Sequence, residues 1–203
     1  MADPRRCAIA LFALLAVACG GSTPPLPRLD ASAVVLAFGD SLTFGTGASP
    51  PESYPVQLGR LIGRKVVSAG VPGEVSARGL ERLPGAIDTA NPQLLILCHG
   101  GNDFLRKLPE GAAAANVRAM VKLARERGVP VVLVGVPKPG LSASPAGFYA
   151  EIAKEFGVPY EGSILKAVLT DNDLKSDWVH PNAKGYRRIA ESVAELLKRA
   201  KAI

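Results

Sequence analysis

Leu94-Leu95-Ile96-Leu97-Cys98 is an unbroken apolar run with no polar face to offer water. A strand of that composition must be covered on both sides, which is the situation in a parallel sheet between two helical layers. Val34-Val35-Leu36-Ala37-Phe38, ending in Gly39, reads the same way. Lys65–Ser68, Val131–Val136 and Val158-Pro159-Tyr160 supply three further strand candidates. Between them lie helical patterns over Tyr54–Leu61, Val75–Ile87, Glu110–Arg127 and Ala146–Phe156, and Asn182–Lys201 closes the chain. Gly128 and Pro130 stop the Glu110 helix. Strands alternating with helices predict an α/β class with one parallel sheet and ligand loops beyond the carboxyl ends of the strands. The 203 residues suit one such domain, assigned to residues 32–203.

The first 31 residues carry a different signal. Arg5 and Arg6 precede an apolar stretch from Ala8 to Ala18, too short to span a bilayer. It runs into Leu15-Ala16-Val17-Ala18-Cys19, which resembles a bacterial lipobox. The expectation is a signal peptide over residues 1–18, a lipidated Cys19, and a Pro-rich spacer over residues 19–31 containing Pro24, Pro25 and Pro27. Secretory cleavage at an ordinary small-residue site is the alternative. The lipobox reading places the protein on the periplasmic side of the cell envelope, held by a lipid anchor. Gly20, rather than aspartate, after Cys19 leans toward the outer membrane. Cys7 would leave with the signal and Cys98 sits in a strand, so no intramolecular disulfide is expected.

The formal charge of +6 could suggest a nucleic-acid partner, but the basic residues alternate with acidic ones, as at Lys122, Arg125, Glu126 and Arg127. No basic stripe interleaved with aromatics and no nucleic-acid motif is present. No spacing of His, Cys and carboxylates suggests a metal site, and no cofactor is expected. No feature of the chain sets an oligomeric state.

Four short motifs fall after strands or before the last helix. Phe38-Gly39-Asp40-Ser41 places a serine hydroxyl at a strand-to-loop turn that Asp40 can hold through backbone bonds. Gly70-Val71-Pro72-Gly73-Glu74 offers two glycines, Gly70 and Gly73, either able to present a backbone N–H to an anion. Gly100-Gly101-Asn102-Asp103 adds an amide donor. Asp177-Trp178-Val179-His180-Pro181-Asn182 pairs a histidine base with a carboxylate three residues earlier that can fix its tautomer, and Asn182 can cap the closing helix. Each motif alone is ordinary turn chemistry. His99, the only other histidine, reads as a structural residue beside the pocket.

In that order, the motifs resemble the SGNH (GDSL) hydrolase family over about Val34 to Leu197. The chain looks closest to the bacterial envelope branch of acyl-thioesterases, lysophospholipases and arylesterases, notably through Ala77–Pro84, Ala153–Pro159 and His180-Pro181-Asn182. The resemblance implies a three-layer α/β/α sandwich with a roughly five-stranded, flavodoxin-like parallel sheet. It implies a serine esterase acting on small acyl esters, thioesters or lipids through an acyl-enzyme. Ser41 would be the nucleophile, His180 the base and Asp177 its partner. Ser41, Gly73 and Asn102 would form the oxyanion hole, with Gly73 preferred because it precedes an acidic residue. Asp40 and Asp103 would brace their loops. The chain departs from the family at His99, where relatives often carry an apolar residue, and in the Pro- and Ser-rich stretch between Val136 and Phe148, which leaves acyl-chain length open. The rival readings are a carbohydrate O-deacetylase of the same fold and a non-catalytic envelope lipoprotein.

Overall fold

The computed structural model describes residues 23–140 and 144–203. The expected signal peptide and Cys19 therefore lie outside the described residues. Five parallel strands form one sheet in the order β2-β1-β3-β4-β5, with β1 at Val34–Gly39, β2 at Lys65–Gly70, β3 at Leu94–Cys98, β4 at Val131–Val134 and β5 at Tyr160–Glu161. The apolar runs take the positions their composition demands. β3 and β4 are buried at every residue and β1 at all but its first, whereas β2, with Lys65 and Ser68 exposed, is an edge.

The helices are α1 (Ser41–Phe44), α2 (Tyr54–Ile62), α3 (Ser76–Ala90), α4 (Gly101–Leu105), α5 (Glu110–Glu126), α6 (Gly147–Phe156), α7 (Ile164–Thr170) and α8 (Ala183–Arg199). Helix α8 packs against α2 and α7 as one layer, and α5 packs against α3 and α6 as the second. The expected α/β/α sandwich is therefore the fold. α8 carries Tyr186, Ile189, Val193 and Leu197 at helical spacing, and all four are buried. Asn182 caps it by accepting the Gly185 N–H at 3.1 Å, as anticipated.

Three local differences have physical causes. β4 stops at Val134 because its partner β5 ends at Glu161, whose carbonyl takes the last ladder bond from the Gly135 N–H, and Pro137 and Pro139 follow. β5 starts at Tyr160, since Pro159 has no N–H for the ladder. The spacer expected to run through residue 31 docks in its second half. Leu26 and Leu29 donate backbone N–H groups to Ala200 and Ala202, each at 2.8 Å, and Leu29 is buried in the core.

The strand order reverses between β1 and β3. In an open parallel sheet, the crevice above that reversal is where loops diverge and a ligand can enter.

Candidate active site

Asp40 stands between β1 and α1. Its Oδ1 accepts the Leu42 N–H at 3.1 Å, capping a four-residue helix that begins with Ser41. This short turn lifts the Ser41 hydroxyl above the sheet. Burial pushes the Asp40 carboxyl above the usual carboxylate range, against the opposing pull of His99, the Leu42 N–H, His180 and Asn102.

The loop before α8 meets Ser41 from across the chain. Ser41 Oγ lies 3.0 Å from His180 Nε2, and His180 Nδ1 lies 2.8 Å from Asp177 Oδ2. The other Asp177 oxygen accepts the backbone N–H groups of Val179 and His180, both at 2.8 Å. One carboxylate thus orients the imidazole and folds the loop that carries it. Partial burial disfavours the charged form of Asp177, but these bonds from His180 and Val179 outweigh it and hold the carboxyl below its ordinary value. The acceptor at Nδ1 fixes the tautomer, leaving Nε2 free to receive the serine proton.

Gly73 and Gly70 divide their roles. Gly73 has φ +77°, lines the cleft, and is held from behind by Arg106, which donates to its carbonyl at 2.7 Å. A Cβ on Gly70 would stand 2.1 Å from the Phe44 backbone nitrogen, so that glycine serves close packing of α1 on β2. Among the described residues, neither the Ser41 nor the Gly73 backbone N–H donates to a protein acceptor. The Asn102 amide is different. Its two hydrogens go to Asp40 Oδ2 at 3.2 Å and the Glu74 carbonyl at 3.1 Å. An oxyanion would take a share of one of these rather than meet a free donor. Asp103 points away from the cleft and pins the start of α3, accepting the Ser76 N–H at 2.8 Å and its hydroxyl at 2.6 Å.

Beneath this floor lies a charged cluster that sequence reading missed. His99 is fully buried. Its Nδ1 accepts the Gly100 N–H at 2.9 Å, so Nε2 carries the proton and donates to Glu74 Oε2 at 3.0 Å. Arg82 grips the same carboxylate through Nε and Nη2 at 2.8 and 2.7 Å. It also reaches the carbonyls of Ala69 and Gly39 at 3.1 and 3.4 Å and stacks over Phe38. Desolvation opposes the charge on Glu74, yet the bonds from Arg82 and His99 bring its pKa down to about 2. The available signal was the departure at His99: a buried imidazole after an apolar strand needs an acceptor, and Glu74 was in view.

The cleft above Ser41 has a volume of about 850 Å³, with Leu42, Leu105, Val136, Pro137 and Leu169 on its walls and Trp178 at the rim, 89% exposed. Cys98 is buried beneath, and desolvation raises its thiol well above the ordinary range, which removes it as a nucleophile. Among the described residues, no three His, Cys, Asp or Glu side chains are grouped to hold a metal ion.

Several known proteins are similar to this chain over most of its length. An arylesterase of Vibrio mimicus is 29% identical over 179 residues, covering 83% of this chain and 90% of that protein. Thioesterase 1/protease 1/lysophospholipase L1 of Escherichia coli (strain K12) is 27% identical, covering 84% and 86%. Among solved structures, TesA superimposes with a TM-score of 0.75 at 27% identity, covering 82% of this chain and 99% of that one. AlinE4, an SGNH-hydrolase family esterase, gives 0.67 at 31% identity, covering 85% and 98%. Residues 37–188 match the GDSL-like lipase/acylhydrolase family, and the chain belongs to that family of SGNH hydrolases.

Proposed function

We propose that this protein is a serine hydrolase of acyl esters and thioesters that works through an acyl-enzyme on Ser41. The observation that carries the reading is the relay from Ser41 Oγ to His180 Nε2 and from His180 Nδ1 to Asp177, at 3.0 and 2.8 Å, on the floor of an open cleft. His180 takes the serine proton as Oγ attacks the carbonyl carbon. The tetrahedral oxyanion falls to the Ser41 and Gly73 N–H groups, with a share of the Asn102 amide. The imidazolium, steadied by Asp177, then protonates the leaving alcohol or thiol. Water, activated by the same imidazole, releases the acid.

The activities named for the relatives are arylesterase, thioesterase and lysophospholipase. An apolar cleft of about 850 Å³ has room for an acyl chain well beyond acetyl, which favours this group over a deacetylase. Rates on p-nitrophenyl acetate, butyrate, octanoate and palmitate test the assignment. The expected profile peaks beyond acetate. Turnover confined to acetate would shift the reading to deacetylation.

The sequence supports export and lipidation at Cys19, with residue 20 pointing to the outer membrane. Incorporation of a clickable fatty acid into the full chain, lost in Cys19→Ser, is the expected result, and equal labelling of both forms would refute it.

A further inference from the structure

The segment that joins the domain to the lipobox is fixed to the pole of the molecule opposite the cleft. Pro25, Leu26 and Pro27 lie beside Pro130 and Val131, at the start of β4, and beside Pro159, just before β5. Leu29 accepts from Arg64, immediately before β2, and the chain then enters β1 at Val34. All four places are amino ends of strands. The cleft is built on the other ends, by Ser41 after β1, Gly73 after β2, Asn102 after β3 and Val136 after β4.

Chain length turns this polarity into a restraint. Seven residue steps separate Cys19 from Leu26, the first of the described residues with a backbone hydrogen bond to the domain. At full stretch they reach about 25 Å. A domain of this length has a radius of gyration of about 16 Å, hence a diameter of about 40 Å. The heights of the two poles above a membrane sum to roughly that diameter in any tilt. With the lower pole tethered within about 25 Å, the mouth of the cleft stays at least about 15 Å from the anchoring bilayer.

We infer that, in the lipidated protein, the active site faces away from the membrane that holds it and takes acyl esters arriving through the aqueous phase, not lipids embedded in the anchoring leaflet. The inference rests on the hydrolase and anchor readings above, and it narrows the substrate class to monomeric or dispersed esters.

Trp178 is the only tryptophan, and it stands exposed on the rim of the cleft. It reports the distance directly. The full lipidated chain is reconstituted into vesicles of brominated and unbrominated phosphatidylcholine. The expected result is the same Trp178 emission in both. Quenching with a blue shift in the brominated vesicles would place the mouth in the bilayer and overturn the inference, as would recovery of a full chain with no acyl group on Cys19. Hydrolysis of p-nitrophenyl butyrate is then compared between the vesicle-bound chain and the soluble domain from Ser22. The expected kcat/KM values agree within about twofold, and a vesicle-bound form slowed by tenfold or more would also contradict an open mouth. If neither form turns over the ester, the hydrolase reading fails, while the emission result still decides the orientation.

Discussion

Replacing Arg82 by Met keeps much of the aliphatic stem over Phe38 but removes both hydrogen bonds to Glu74. The Glu74 side chain is 8% exposed, and its pKa of about 2 lies below the ordinary 4.5. At about 1.4 kcal/mol per unit, that difference corresponds to about 3 kcal/mol of stability at neutral pH. Arg82 and His99 share it, with Arg82 the stronger partner. Its loss, together with its contacts to the Ala69 and Gly39 carbonyls, should destabilise the domain by about 2–3 kcal/mol at pH 7. With a urea slope of about 2 kcal/mol/M, the midpoint should fall by about 1–1.5 M. The pH dependence follows from the direction of the shift. Between pH 4.5 and about 2 the unfolded chain holds the Glu74 proton and the folded chain does not, so stability rises with pH across that window and is complete above it. In Arg82→Met the folded value lies nearer 4.5, so the gain is smaller. Urea unfolding of both proteins at pH 7 and near pH 3 should show a gap that narrows at the lower pH. An equal gap at both pH values, or none at pH 7, would refute the argument.

Other perturbations test the site piece by piece. Asp177→Asn should lower kcat by roughly 100- to 10,000-fold with little change in KM, because it disturbs the tautomer of His180 and not the cleft; a normal kcat would remove Asp177 from the relay. Asn102→Ala should cost about 100- to 1000-fold in turnover, and a near-wild-type rate would exclude its amide from the oxyanion hole. Gly79→Ala would set a Cβ 2.3 Å from His99 Nε2, and the forced shift should destabilise the domain by about 1–3 kcal/mol, read as a fall in Tm; an unchanged Tm would mean the buried imidazole moves freely.

The layers of the fold were legible because apolar runs such as Leu94–Cys98 and the 3.6-residue stripe of α8 report burial directly. The candidate residues were legible because Ser41, Gly73, Asn102, Asp177 and His180 all follow strands or precede the last helix. Helix α7 was missed because its start is capped from outside. Glu161 Oε1 accepts the N–H groups of Ser163 and Ile164, a device that a periodicity scan of seven residues does not detect. The cluster of His99, Glu74 and Arg82 was missed for a related reason. It joins the loop after β3, the loop after β2 and the middle of α3, and only the packing of those three brings the imidazole, the carboxylate and the guanidinium together. Docking of Leu26 and Leu29 was hidden by the prolines around them, whose composition describes a spacer whether or not the chain lies against a domain.

The most direct test of the central claim is labelling by a fluorophosphonate, read alongside hydrolysis of p-nitrophenyl butyrate, for the wild type and Ser41→Ala. The account predicts one covalent phosphonyl group on Ser41, loss of esterase activity in step with labelling, and neither labelling nor turnover in the variant. Hydrolysis that persists in Ser41→Ala, or a probe that labels another residue as activity falls, would contradict it.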